Sequence, residues 1–131
     1  MSSSAAIRPR IAEHRIRFIM HKDKQVLLVD LSQCTAEEVG QISKLVPNYV
    51  TRQPRGSVLL LADFTGAHVD RNAAEPLKRG MVLDRPHLQR SAWVGTESIP
   101  HVLYENIKRF SQRDLASFHT REEALDWLTK D

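Results

Sequence analysis

The chain has 131 residues, enough for one domain with a real core, and its 41% hydrophobic and 27% charged residues exclude a disordered or membrane-embedded protein. No apolar run reaches the length of a bilayer span. The net charge of +3 is unevenly spread, with six Lys/Arg against two acids in residues 1–25 and two against five in residues 114–131. With only 6% aromatic residues and no dense basic stripe, nucleic acid is not an expected partner. The opening "MSSSAAIRPR" lacks the apolar core of a secretory signal, so residues 1–13 read as a flexible leader and residues 14–131 as a single domain. Cys34 is the only cysteine, which rules out an internal disulfide and suits a reducing, cytoplasmic setting. Placed just ahead of a helix start, it reads as a small packed residue.

In chain order, "RIRFIMH" alternates with period two, which predicts an edge strand with Ile16, Phe18 and Met20 on its better-buried face. "KDK" makes a tight turn into "QVLLVDL", a continuous apolar run typical of a strand covered on both faces. Thr35 and Glu38 form a capping box, and Val39, Ile42, Val46 and Val50 recur at helical spacing, so a helix starts near Ala36 and should be kinked or shortened at Pro47. "SVLLLADF" is a second doubly buried strand.

Asn72 and Glu75 have capping-box spacing ahead of a helix over about 73–84, with apolar positions at Ala74, Leu77 and Met81. "LQRSAWVG" reads as a strand. Ser98 is placed to cap the next helix, with Ile99, Val102, Leu103, Ile107 and Phe110 on one face and Pro100 in its first turn. "DLASF" is a short last strand, and Thr120 with Glu123 caps a final helix through "ALDWL". The fold class is therefore α/β, a five-stranded mostly parallel sheet with one antiparallel edge hairpin and four helices, in the order β-β-α-β-α-β-α-β-α.

Ligands of such sheets gather at the carboxyl ends of the strands. That edge carries Asp30 and Ser32, then Asp63, Thr65, His68 and Asp70, then Thr96 and His101, and finally His119. The carboxylates and imidazoles could in principle make an acid–base or metal site, but their spacing fits no motif, and aspartates at strand ends usually cap backbone amides. No phosphate-binding glycine loop and no nucleophile elbow are present. Neither catalysis, a metal nor a cofactor is expected. Thr65 reads as a turn residue, Arg113 as the partner of a nearby acid, Trp93 and Trp127 as core, and His14, His21 and His87 as solvated surface residues.

The element order, the "DFTG" turn, "SAWVG" and above all "RFSQRDLASFHTREEALDWL" resemble the SpoIIAA-like proteins of the STAS superfamily, a set also grouped with the CRAL-TRIO lipid carriers. The resemblance covers about residues 14–131 and rests most on Phe110, Ser111, Arg113, Phe118, Glu122, Glu123, Ala124, Trp127 and Leu128. It implies a small bacterial cytoplasmic protein. Better-known STAS domains are switched by phosphorylation of a serine in an Asp-Ser turn; here Asp70 matches the aspartate, and Arg71 stands at the acceptor position.

Two non-catalytic functions follow from the resemblance. One is a regulatory module that binds a protein through the carboxyl edge and the adjoining helix, a second copy of the chain being one such partner. The other is a carrier or sensor of a lipid or other apolar small molecule, with peripheral membrane contact, held between the sheet and a movable helix. The helix over 73–84 has few large anchors and contains Pro76 and Gly80, so it is expected to be the least firmly held. The cations Lys78, Arg79, Arg85 and Arg90 nearby would suit an amphipathic anion. Candidate binding residues are Asp63, Thr65, His68, Asp70, Arg71, Leu77, Met81, Thr96 and His101.

Overall fold

A computed structural model describes residues 14–111 and 115–131. The elements are β1 (Ile16–His21), β2 (Lys24–Asp30), α1 (Ala36–Val50), β3 (Val58–Asp63), α2 (Arg71–Asp84), β4 (Leu88–Val94), α3 (His101–Ser111), β5 (Ala116–Phe118) and α4 (Arg121–Thr129), with short 3-10 turns at Arg85–His87 and Thr96–Ser98. The sheet order is β1-β2-β3-β4-β5, with β1 antiparallel to β2 and the other neighbours parallel. Class and element order are those expected from the sequence.

Because each parallel strand lies beside its predecessor and crossovers share one hand, α1, α2 and α3 stack on a single face. There Leu27, Val29, Leu60, Ala62 and Trp93 of the sheet meet Val39, Ile42 and Val46 of α1, Ala73 and Ala74 of α2, and Ile107 of α3. Helix α4 follows the last strand and covers the opposite face, where Ala124 and Leu128 pack on Val26, Leu28, Leu59, Leu61, Ala92 and Val94. Every residue of β3 is buried, as its unbroken apolar run requires.

The hairpin turn has Lys22 at φ 50° and Asp23 at φ 65°, both left-handed, the backbone that matches the twist of two adjoining strands. β1 is the edge strand expected, but only one end of its apolar face is covered. Ile16 lies opposite Val29 and is buried, whereas Phe18 and Met20 are exposed. Met20 pairs with Gln25 at the amino end of β2.

Helix α1 has the predicted capping box and buries Val39, Ile42, Val46 and Val50, but it runs through Pro47 to Val50 rather than ending there. Proline has no N–H to give the Ser43 carbonyl, and Gly80 brings α2 close at that point. Gly40 likewise faces Ala73 and Pro76. Pro76 and Gly80, expected to weaken α2, are thus buried where α1 and α2 meet.

The cap of α2 is Asp70, whose carboxylate accepts from Ala73 N at 2.8 Å; the helix starts at Arg71, and the Asn72/Glu75 spacing is not its capping box. Ser98 does not cap α3 either. Its hydroxyl accepts from Gly66 N at 2.9 Å, and α3 begins after Pro100, whose carbonyl receives Tyr104 N. The predicted apolar face of α3 is only partly covered: Ile99 and Ile107 are buried, while Val102 is 76% and Phe110 42% exposed. Of the described α3 side chains Ile107 is fully buried and Leu103 and Tyr104 partly so, while α2 buries Ala73, Ala74, Pro76, Gly80 and Asp84. The final capping box of Thr120 and Glu123 forms as predicted. The predicted leader, residues 1–13, lies outside the described residues.

Candidate functional site

Two strands end in the same turn at the carboxyl edge. Asp30 Oδ1 accepts from Ser32 N at 3.1 Å and Ser32 Oγ at 2.5 Å. Asp63 Oδ1 accepts from Thr65 N at 2.9 Å and Thr65 Oγ1 at 2.6 Å. Asp30 and Asp63 are in register on β2 and β3, so the two carboxylates stand side by side. Arg121, the first residue of α4, spans them, with Nη2 2.9 Å from Asp30 Oδ1 and Nε donating to Asp63 Oδ2 at 2.6 Å. Arg15 adds a bond from Nη1 to the Ser32 carbonyl at 2.9 Å.

Burial opposes ionisation of Asp30, but the hydrogen bonds from Ser32 and the charge of Arg121 outweigh it and hold the carboxyl below its ordinary value. Burial also works against the Arg121 charge; the Asp63 bond and the two aspartates overcome that and raise its pKa. The result is a clasp that joins the last helix to two strand ends, with its carboxylates committed to turns and to a guanidinium. Arg121 was not among the predicted site residues. The legible signal was the repeat of Asp-X-Ser/Thr in "DLS" and "DFT", which sets two carboxylates beside each other and calls for a cation.

The other edge candidates do not converge. His68, Asp70 and Arg71 are exposed around the start of α2, Asp70 being occupied as its cap; Thr96 lies in a 3-10 turn and exposed His101 begins α3. Thr65 is the predicted turn residue, its hydroxyl bonded to Asp63. Among the described residues, no group of three or more His, Cys, Asp or Glu could hold a metal ion. Cys34 is fully buried, and burial pushes its thiol up to about 11, which suits packing and not nucleophilic chemistry. His21 and His87 are half-buried rather than solvated, bonded to Asp126 and to the Gln53 carbonyl. Arg113 lies outside the described residues.

Leu77 and Met81 fall elsewhere, at a cavity of about 190 Å³ between the sheet and the α1–α2 pair. Leu60, Ala62 and Trp93 form its floor, Val46, Leu77 and Met81 its helical side, and Gln89, Arg90 and Trp127 also line it, from β4 and α4. β5 pairs only with Ala92, Trp93 and Val94 of β4, so among the described residues the 88–91 stretch has no strand on its outer side. The β3–β4 register shifts between Val58 and Leu59, opposite Leu88 and Arg90, leaving Gln89 as an extra residue. Such a bulge re-aims side chains. Leu88 packs with the α1–α3 core, whereas Arg90 reaches the end of α4 and donates to the carbonyls of Lys130 at 2.9 Å and Trp127 at 3.2 Å.

Among the described residues, three that line the cavity each carry an inaccessible side-chain atom without a hydrogen-bond partner: Ser43 Oγ, Asp84 Oδ1 and Arg85 Nε. Ser43 and Asp84 are only 4% and 5% exposed, and burial pushes the Asp84 carboxyl up to about 7. The cations predicted to attract an anion are mostly engaged. Lys78 bonds Asn106 and Glu75, Arg85 Nη2 donates to the Phe110 carbonyl at 2.6 Å, and Arg90 caps α4.

No described helix is long and apolar enough to cross a membrane. No family model, curated protein or solved structure matches the chain.

Proposed function

We propose that this chain is a non-catalytic binding module that holds a small apolar molecule between its sheet and helix α2. The observation that carries this reading is the cavity itself, whose walls include Leu60, Ala62, Leu77, Met81 and Trp93. Binding pockets of soluble proteins are typically apolar hollows with a few polar groups set into them. At about 190 Å³ the space is somewhat larger than the roughly 150 Å³ engineered cavity that admits benzene. It suits a small aromatic or short aliphatic molecule better than a long acyl chain. The commitment of Asp30 and Asp63 to Arg121, and of Asp70 to a helix cap, supports the non-catalytic part. The likeness to STAS proteins supports a sensing role.

Titration of toluene into ¹⁵N-labelled protein tests it. Shifts centred on the amides of Leu77, Gly80, Met81 and Leu88, lost in a cavity-filling Leu77→Trp variant that stays folded, are the expected result. Shifts scattered over the surface, or none, overturn the reading.

A regulatory module that binds protein is the second reading, favoured by exposed Val82 and Leu83 on α2, with Val102 and Phe110 exposed on α3 packed beside it. Arg71 at the first position of α2 leaves no hydroxyl there for a kinase. If the partner is a second copy, sedimentation gives a dimer that Leu83→Glu dissociates; a monomer at high concentration removes that form of it.

A further inference from the structure

β1 pairs with β2 along its whole length without a break in register, and among the described residues no strand lies on its outer side. Such an edge presents N–H and C=O groups to any strand that approaches, and proteins that avoid this place a proline, a bulge or an inward charge there. β1 has neither proline nor bulge, and its apolar face is partly uncovered, with Phe18 38% and Met20 66% exposed. Side chains alternate along a strand, so Phe18 and Met20 share the face of Ile16 and the α1–α3 core. Arg17, Ile19 and His21 take the other face, where Ile19 packs on the core under α4 and His21 Nε2 lies 2.9 Å from Asp126 Oδ1.

The strand is complementary to itself. In an antiparallel pair related by a two-fold axis, opposed side chains share a face, so the axis passes beside one residue. Centred on Arg17, it would set two guanidiniums against each other. Centred on Phe18, it would set Arg17 against Ile19, and Arg15, already bonded to the Ser32 carbonyl, against His21. Centred on Ile19, it sets Phe18 against Met20 of the second copy, twice over, a sulfur–aromatic contact that covers both exposed side chains. On the other face the same axis sets exposed Arg17, which gives one N–H to the His14 carbonyl, against His21 and its bonded Asp126, a half-exposed carboxylate. We infer that the chain pairs with a second copy of itself through β1, with the two-fold axis at Ile19 and the two sheets joined into one. This surface is separate from the cavity and from the exposed residues of α2 and α3, and it rests on neither reading above.

Sedimentation equilibrium of the full chain up to about 0.5 mM should give a monomer–dimer equilibrium. Met20→Lys, at an exposed position, should weaken the dimer about tenfold or more, whereas Leu83→Glu on α2 should change it less than about twofold. Charge reversal reads the register. Arg17→Glu and Asp126→Arg should each be monomeric, because each sets like charges across the axis, and an equimolar mixture of the two should dimerise again, because both cross-axis pairs are then opposite. If Asp126→Arg does not fold, Arg17→Glu alone reads the register. A monomer at every concentration overturns the inference, whether residues 1–13 or a strand of another protein covers the edge. A dimer that Leu83→Glu dissociates and Met20→Lys leaves intact overturns it in favour of the α2–α3 surface. A dimer lost in Met20→Lys but unchanged in Arg17→Glu overturns the register centred on Ile19.

Discussion

Arg121 Nε lies 2.6 Å from Asp63 Oδ2, so the first residue of the last helix is bonded to the last residue of the central strand. Asp63 is 4% exposed, and removing its guanidinium partner would leave a buried carboxylate supported only by Thr65. Arg121→Ala should cost about 2 kcal/mol in urea unfolding, the range for hydrogen bonds to charged groups. Arg121→Lys should recover less than half of that, because an ammonium cannot match the planar fork that reaches Asp30 and Asp63 together.

Asp84 should make stability depend on pH in the opposite sense to an ion-paired aspartate. Burial raises its carboxyl from 3.8 to about 7, so the unfolded chain gives up the proton first. Its contribution to stability is complete below the unfolded value, declines as pH rises towards 7 and levels off above it. Relative to Asp84→Asn, the wild type should lose up to about 4 kcal/mol between pH 4 and pH 7. Parallel urea unfolding curves for the two proteins across that window check this, and a constant difference contradicts it.

Two glycines should respond oppositely to alanine. At Gly80 an added Cβ would sit 3.5 Å from the Ser43 carbonyl oxygen and 3.7 Å from Pro47 Cγ, ordinary contact distances. Gly80→Ala should therefore stabilise the protein by about 0.5 to 1 kcal/mol through helix propensity. Gly95 has φ 72°, and a Cβ there would meet Thr65 N at 2.5 Å. Gly95→Ala should destabilise by more than about 2 kcal/mol, since backbone strain and a backbone clash add. Thermal unfolding of both variants is the measurement.

Trp127 is half-buried, with its ring against Phe118 at 5.6 Å between centroids and Arg90 over its face at 5.8 Å. Trp127→Ala should cost about 2 kcal/mol in chemical denaturation, less than the roughly 3 to 5 typical of a fully buried tryptophan.

Hydrogen exchange should rank α3 as the first helix to open. Among its described side chains Ile107 is the one that is buried, whereas α2 is packed between α1 and α3 and buries Ala73, Ala74, Pro76, Gly80 and Asp84. Amides 102–110 should exchange faster than amides 74–84. Equal protection would show that Leu103 and Tyr104, partly buried against the core, anchor α3 as well as the α1 contact anchors α2.

The sequence by itself determines whatever depends on neighbours in the chain. Periodicity in "QVLLVDL" and "SVLLLADF" marks strands covered on both faces, the Thr35/Glu38 and Thr120/Glu123 boxes mark helix starts, and the alternation of elements leads to a parallel sheet with one antiparallel hairpin. Errors arose where a local pattern competed with a distant partner. Ser98 has a cap's position, but its hydroxyl is taken by Gly66 N across 32 residues. Asn72 and Glu75 have the spacing of a capping box, but the cap of α2 is Asp70, which accepts from Ala73 N. The candidate site shows the same division. Leu77 and Met81 were visible as an apolar stripe, whereas the meeting of Ser43, Asp84 and Arg85 at one cavity depends on how α1 crosses α2 and where α2 ends. The Arg121 clasp likewise exists only once α4 turns back across the second face of the sheet. Spacing along the chain encodes hydrogen bonds and faces within a turn or two of helix or strand, but packing angle and a single bulge decide which far side chains meet.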